Sequence, residues 1–251
     1  MIRALERGKH VLCEKPMALN AAECRRMIDA AEKNGVKLME AFMYRYTDRT
    51  RKVVETLRSG VLGEVKFLQA SFRFLLANPA SIKLESSLGG GALYEVGCYP
   101  VNFCGLVADT AAGAVPGAVR PESVQIECVR SGESGSGDGV DMLCSALMKY
   151  PGGLVAALHC GFNAHKRIGA EIVGTEGVLE ITDTFFDPAG ALVLTRGEER
   201  TEIAVAESDR YRAEVEDFAA AILEGRAPAF GLAETQRNAE VLDRLLAASR
   251  G

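Results

Sequence analysis

The chain has 251 residues, a formal net charge of −5, and 48% hydrophobic against 25% charged residues. That is soluble globular composition, long enough for one large domain or two modest ones with a sizeable core. Interspersed, mildly acidic charge offers a polyanion nothing to hold, which argues against nucleic acid as a partner. No apolar run approaches the roughly 20 residues that span a bilayer, and no charged-then-apolar leader opens the chain, so no membrane partner and a cytoplasmic location are expected.

Seven cysteines (Cys13, Cys24, Cys98, Cys104, Cys128, Cys144, Cys160) are scattered without CxxC spacing. The expectation is free thiols in the core of a reduced protein, with neither a disulfide framework nor a metal site. The three histidines add no cluster with ligand spacing, so the predicted metal content is none.

In chain order, Ile2 to Arg7 reads as a helix end stopped at Gly8, followed by a strand at His10 to Cys13. Asn20 is placed to cap a helix from about 20 to 34, with Glu23 as its capping-box partner and Gly35 as its stop. A second short strand, Val36 to Ala41, completes a βαβ unit and therefore a parallel pair. Two parallel strands cannot cover both faces of a sheet. Residues 1–41 thus read as the C-terminal remnant of a larger parallel domain whose beginning is absent.

A basic amphipathic helix is predicted over 48–59 and a long strand from Glu64 to Phe74. Gly89-Gly90-Gly91 leads into a helix from about Ala92 to Val107, and 108–121 is an Ala/Gly/Pro-rich loop. Strands follow at 122–130, 140–150, 153–162, 170–174, 178–182, 191–196 and 200–205, with turns at Pro151-Gly152-Gly153, Thr175-Glu176-Gly177 and Pro188-Ala189-Gly190. Ser131 to Gly139 is a Gly/Ser-rich hairpin loop expected to be mobile. Helices at 209–224 and 232–249, separated by Gly225 and Pro228, finish the chain. The predicted class is therefore α/β (α+β). The parallel remnant is followed, over 42–251, by an open, mainly antiparallel sheet packed with helices. An uncovered sheet face would call for a partner, and a second copy of the chain is the economical one.

Three islands could carry chemistry. Glu14-Lys15-Pro16 closes the first strand, and ligands of open parallel sheets bind beyond such carboxyl ends. Position alone leaves Lys15 open between a cleft ammonium and an ordinary surface charge. In the third island the triple glycine would let backbone approach a ligand with free amides. Glu95, Tyr99 and Asn102 then share one helical face, able to contact polyol hydroxyls or equally to be a solvated acid beside a packed aromatic.

The strings GKHVLCEKP, EAFMYRY and GGGALYEVGCYPVN together resemble the glucose–fructose oxidoreductase/inositol dehydrogenase/MocA family, in its dihydrodiol and D-xylose dehydrogenase branch. Gly60 to Val65, Val173 to Gly177 and Tyr211 to Phe218 extend the likeness along nearly the whole chain. The resemblance implies a Rossmann domain joined to an open-faced α/β domain, and hydride transfer between a sugar, polyol or diol carbon and C4 of NAD or NADP. It implies Tyr99 as general acid/base, Lys15 as the ammonium that lowers the Tyr99 pKa, and Glu95 as the acid on the helix. Glu14, Lys15, Pro16 and Arg45 would touch cofactor, and Tyr44 and Asn102 substrate.

Two departures qualify this. The family pattern has Asp at the position of Glu95, and one methylene moves a carboxylate by over an ångström, on the order of what matters for a positioned group. No GxGxxG turn precedes Lys15; at about 30 residues per βαβ unit, roughly 60–80 residues of the pattern are missing. Impaired NAD(P) binding and a start at an internal methionine are the corresponding expectations. The alternative is a non-catalytic dimerising or sugar-binding module of the same origin.

Overall fold

The computed structural model describes residues 1–132, 139–186 and 189–249. A four-residue helix α1 (Ile2–Leu5) precedes β1 (Val11–Glu14), α2 (Ala21–Lys33) and β2 (Leu38–Ala41). The α2 start follows its sequence signal: the Asn20 Oδ1 accepts from the Glu23 amide at 2.8 Å. The Glu23 carboxylate returns to the Leu19 amide, one residue before the cap itself. Strands β1 and β2 pair in parallel, from Val11 opposite Leu38 to Glu14 opposite Ala41.

A 3-10 turn (Met43–Tyr46) leads into α3 (Asp48–Arg58), capped by Thr47, and then β3 (Val65–Leu75). Short 3-10 turns at Ile82–Leu84 and Ser86–Leu88 precede a π turn (Leu93–Gly97) that runs directly into α4 (Cys98–Ala111). The strands β4 (Ser123–Arg130), β5 (Asp141–Lys149), β6 (Val155–Gly161), β7 (Asn163–Gly174), β8 (Val178–Thr182), β9 (Gly190–Arg196) and β10 (Glu199–Val205) follow. Helices α5 (Arg210–Leu223) and α6 (Leu232–Ala248) close the described chain.

Eight strands form one sheet in the order β10-β9-β8-β7-β3-β6-β5-β4. Every neighbouring pair is antiparallel except β3 with β6, which is the mixed but mainly antiparallel sheet expected. Its inner face carries Leu68, Ala70 and Phe72 from β3 and Cys144, Ala146 and Met148 from β5, all buried. Helix α4 lies against that face, and every residue from Cys98 to Asp109 is buried. A helix apolar nearly all round needs cover on both sides, and α3 and α6 supply it opposite the sheet. Between α4 and α6 stands a buried ion pair of Arg237 with Asp109. The Asp109 carboxylate also accepts from the Gly117 and Val119 amides, at 2.7 and 2.9 Å, so its oxygens are satisfied despite burial.

Three sequence expectations change. Helix α4 runs to Ala111 rather than ending near 107, because packing on both faces outweighs the weak propensity of this stretch. Strand β7 starts at Asn163, not 170, since it pairs with β3 as far as Leu75 opposite Asn163. The cysteines are not all free: Cys128 and Cys144, directly opposite on β4 and β5, form a disulfide. Pairing register, invisible in CxxC spacing, is what brings them together. The loop expected to be mobile falls largely on 133–138, outside the described residues.

The N-terminal unit has a small core of its own, built from Leu5, Met17, Cys24, Ile28, Ala31 and Leu38, with Leu232 and Ala239 of α6 packed against it. Strand β2 is wholly buried, whereas β1 is half-buried and ends exposed at Glu14. Among the described residues no helix is long and apolar enough to cross a membrane.

Candidate active site

Lys15 leaves the end of β1 through a cis peptide to Pro16 and turns inward, with 13% of its side chain exposed. Its Nζ donates to the Glu95 backbone carbonyl at 2.7 Å and lies 3.8 Å from Glu95 Oε2. The same carbonyl also accepts from Cys98 Sγ at 3.5 Å. It lies where the π turn passes into α4, just before Pro100, which has no N–H to donate within the helix. The same ammonium stands 5.2 Å from the centroid of the Tyr99 ring. Lys15, eighty and more residues away in the chain, is therefore brought beside Glu95 and Tyr99.

Tyr99 itself is 5% exposed. Phe42, Tyr44, Phe72, Phe185 and Phe186 surround its ring with centroids 5.3–6.1 Å away, the nearest being Phe72. The hydroxyl points at Met43 Sδ, 3.6 Å distant. Burial in this apolar cage pushes the phenol well above its ordinary range, and the nearby Cys98, Tyr211, Glu14 and Glu214 push the same way. The expected lowering by Lys15 is not what this arrangement produces, because desolvation outweighs an ammonium that faces the ring rather than the oxygen.

The triple glycine also acts differently from expectation. The Gly90 amide donates to the Glu85 carbonyl at 2.9 Å and the Gly91 amide to the Lys83 carbonyl at 2.8 Å, so neither is free for a ligand. Gly91 adopts φ +124, and a Cβ there would collide with the Asp141 carboxylate. Asp141, from β5, accepts from the Leu93 amide at 2.6 Å and so caps the π turn from another element.

The remaining predicted site residues separate. Glu14 is exposed at the strand end beside Lys15. Pro16 lies in the turn that Tyr94 ties down by donating its hydroxyl to the Ala18 carbonyl at 2.9 Å. Tyr44, Arg45 and Asn102 are hydrogen-bonded among themselves. Tyr44 Oη donates to Asn102 Oδ1 at 2.5 Å, and Arg45 reaches the same oxygen at 3.2 Å and Glu234 Oε2 at 2.7 Å. Tyr44 is 0% and Asn102 1% exposed. The π turn breaks the simple four-plus-three spacing that put Asn102 beside Glu95. These three residues bind the Met43–Tyr46 turn to α4 and α6.

Three further polar residues went unremarked in the sequence. Lys83 donates to Glu95 Oε2 at 2.7 Å. Glu40, at 3% exposure, accepts from the Met17 amide at 2.9 Å, and burial pushes its carboxyl up to about 7. Glu214 is buried on α5, and burial with the neighbouring Glu14 charge pushes it up to about 7. A glutamate inside the buried strand Leu38–Ala41 is a readable signal for Glu40, and Glu214 falls in the Tyr211–Phe218 string. Nothing local marks Lys83.

An open sheet joined to a parallel βαβ unit, with a lysine at the strand end facing an acid and a tyrosine on the sheet-covering helix, defines a class of two-part oxidoreductase. Residues 50–180 match the GFO/IDH/MocA C-terminal domain, and residues 1–42 match the oxidoreductase family's NAD-binding Rossmann fold. The chain belongs to the Gfo/Idh/MocA oxidoreductase family. It is 35% identical to an oxidoreductase of Rhizobium meliloti over 232 residues, covering 89% of this chain and 66% of the relative. It is 33% identical to a D-xylose 1-dehydrogenase (NADP+) of Haloferax volcanii, covering 90% and 66%. A trans-1,2-dihydrobenzene-1,2-diol dehydrogenase of Xenopus tropicalis is 34% identical, with 80% of this chain and 56% of that protein covered. The chain thus spans at most 66% of the length of these curated relatives. Among solved structures, a 3-ketoreductase from Actinomadura kijaniata in complex with NADP and TDP-benzene superposes with a TM-score of 0.86 at 26% identity, covering 98% of this chain and 73% of that one. An aldose–aldose oxidoreductase from Caulobacter crescentus with glycerol bound gives 0.85 at 26% identity, covering 99% and 72%.

Proposed function

We propose that the protein is an NAD(P)-dependent oxidoreductase acting on the CH–OH or carbonyl carbon of a sugar, polyol or diol. The observation that carries this reading is the convergence of Lys15, Glu95 and Tyr99 beyond the end of β1. A nicotinamide cofactor would supply the hydride carrier. The residues present fit one: a half-buried ammonium and the Glu14-Lys15-Pro16 turn stand at the carboxyl end of a parallel strand, where such sheets place their ligands. Residues 1–41 form the nucleotide-side unit in this reading, and 42–251 the substrate and oligomerisation unit.

Each residue then has a task. Tyr99, its neutral form favoured by burial, holds a proton at neutral pH and donates it to the oxygen of a carbonyl being reduced. Lys15 brings positive charge to the place where that oxygen becomes negative. Glu95 accepts hydrogen bonds from substrate hydroxyls. Tyr44, Arg45 and Asn102 act as the scaffold behind Tyr99 rather than as ligands. The open sheet face joins two copies of the chain, and the working location is the cytoplasm.

Stopped-flow absorbance with NADH or NADPH and a panel of aldoses, ketoses and diols tests the reading. Turnover with either cofactor, abolished in Lys15→Ala, is the expected result. No binding of either nucleotide and no turnover with any of the panel favours the non-catalytic module.

A further inference from the structure

The geometry points to Lys83 as a positioning residue of the site, one that fixes the Glu95 carboxylate in the cleft and ties the 76–90 segment to the helix bearing Glu95 and Tyr99. This rests on the oxidoreductase reading for its consequence in catalysis, but not for its structural content. The segment has little else to hold it. No residue from Leu75 to Gly90 is buried. Ile82 and Leu88 face solvent at 69% and 60% exposure, and only Leu76 and Leu84 rest partly on the core.

What holds the segment is polar, and it meets at Lys83 from two directions. The Lys83 carbonyl accepts from the Gly91 amide at 2.8 Å, while its ammonium donates to Glu95 Oε2, four residues further on, at 2.7 Å. Ser81 Oγ accepts from the Lys83 amide at 3.3 Å and starts the turn that aims the side chain. Gly90 is needed for the fit, because a Cβ there would meet the Lys83 carbonyl and the Glu85 backbone at 2.7–2.8 Å. The glycine run is thus shaped to the chain's own loop.

The two lysines divide their work on Glu95. Lys15 is anchored on the backbone carbonyl at 2.7 Å, with the carboxylate only at 3.8 Å. Lys83 is anchored on the carboxylate alone. Glutamate reaches it where aspartate, one methylene shorter, would retract by about an ångström. The length of Glu95 and the presence of Lys83 are one feature in this account: the acid is held by a lysine from the loop, while Lys15 is held by the backbone carbonyl.

The test compares Lys83→Met, Lys83→Arg and Glu95→Asp with the parent chain by amide hydrogen exchange and by steady-state kinetics. In Lys83→Met, exchange across residues 81–91 is expected to rise roughly fivefold to tenfold, the scale of one partly exposed charge-assisted contact, with β5 and β6 unchanged. Lys83→Arg restores protection and Glu95→Asp mimics Lys83→Met. In turnover, KM for the sugar rises several-fold in Lys83→Met while kcat moves less, and Lys83→Arg restores it. Unchanged exchange in Lys83→Met, exchange raised uniformly along the chain, or no restoration by arginine would each overturn the proposal. Absence of turnover in the parent chain would sink the oxidoreductase reading, while the exchange arms still decide the role of Lys83 at Glu95.

Discussion

The Tyr99 phenol sits in a cage of aromatic rings, and burial there favours its neutral form, which in the proposed reading carries the proton for the substrate oxygen. Tyr99→Phe is expected to lower the rate of carbonyl reduction by about 10²–10⁴-fold with little change in substrate KM, measured with NAD(P)H in excess. A loss below threefold would mean that another group carries the proton. Glu40 gives a second residue-scale prediction. Its folded carboxyl is raised to about 7 from an ordinary 4.5, first by burial, so the folded state takes up a proton that the unfolded state gives up. Stability is full below about pH 4.5 and declines as pH rises towards 7, by about 3 kcal/mol for this group alone. Glu40→Gln should flatten that part of the profile, read from urea midpoints at pH 5 and pH 8. A midpoint difference matching that of the parent chain would refute it.

The helix α4 and the turn before it show how elements share the work of the site. Leu93–Gly97 is wound as a π turn, capped by Asp141 from β5, and presents the Glu95 carbonyl to Lys15. The far end of the same helix is held by Asp109, which pairs with Arg237 of α6 and closes the 117–119 loop. Because Arg237 is 2% exposed, deleting its partner strands a buried charge. Asp109→Ala is expected to cost about 3–5 kcal/mol in chemical denaturation, far beyond a surface ion pair. A loss under 1 kcal/mol would show that Glu234, 4.0 Å from Arg237, takes over the charge.

On the scale of the molecule, α6 bridges the two parts: Leu232 and Ala239 complete the small N-terminal core, while Val241, Leu242 and Leu245 belong to the large one. The outer face of the sheet mixes exposed apolar residues, Leu147 at 48% and Val129 at 56%, with Ser145 and Lys149 beside them. If two copies pair through this face, as proposed, sedimentation velocity finds a dimer at micromolar concentration, and Leu147→Arg shifts it towards monomer by placing a charge on that exposed apolar patch. An unchanged sedimentation coefficient in Leu147→Arg would place the contact elsewhere.

Much of this was legible from sequence because its signals are local. Asn20 with Glu23 marked α2, Gly35 ended it, and alternation with Gly/Pro turns marked the strands, since caps and turns act within a few residues of themselves. The EKP and GGGALYEVGCYP strings brought Lys15, Glu95 and Tyr99 forward before their meeting could be seen. The surroundings of each residue were not legible in the same way. Tyr44, Arg45 and Asn102 are tied to one another and to Glu234, and the Tyr99 phenol is shifted up rather than down, because burial is set by what packs above a residue and not by its neighbours in the chain. Register across strands made the Cys128–Cys144 disulfide, and a loop fold with no sequence mark placed Lys83 on Glu95. The sequence by itself determined the family, the order of the elements and the motifs that carry Lys15, Glu95 and Tyr99. Only the tertiary structure decided which side chains are buried, which are paired, and that Lys15 meets Glu95, because those depend on contacts between segments that the chain itself does not place side by side.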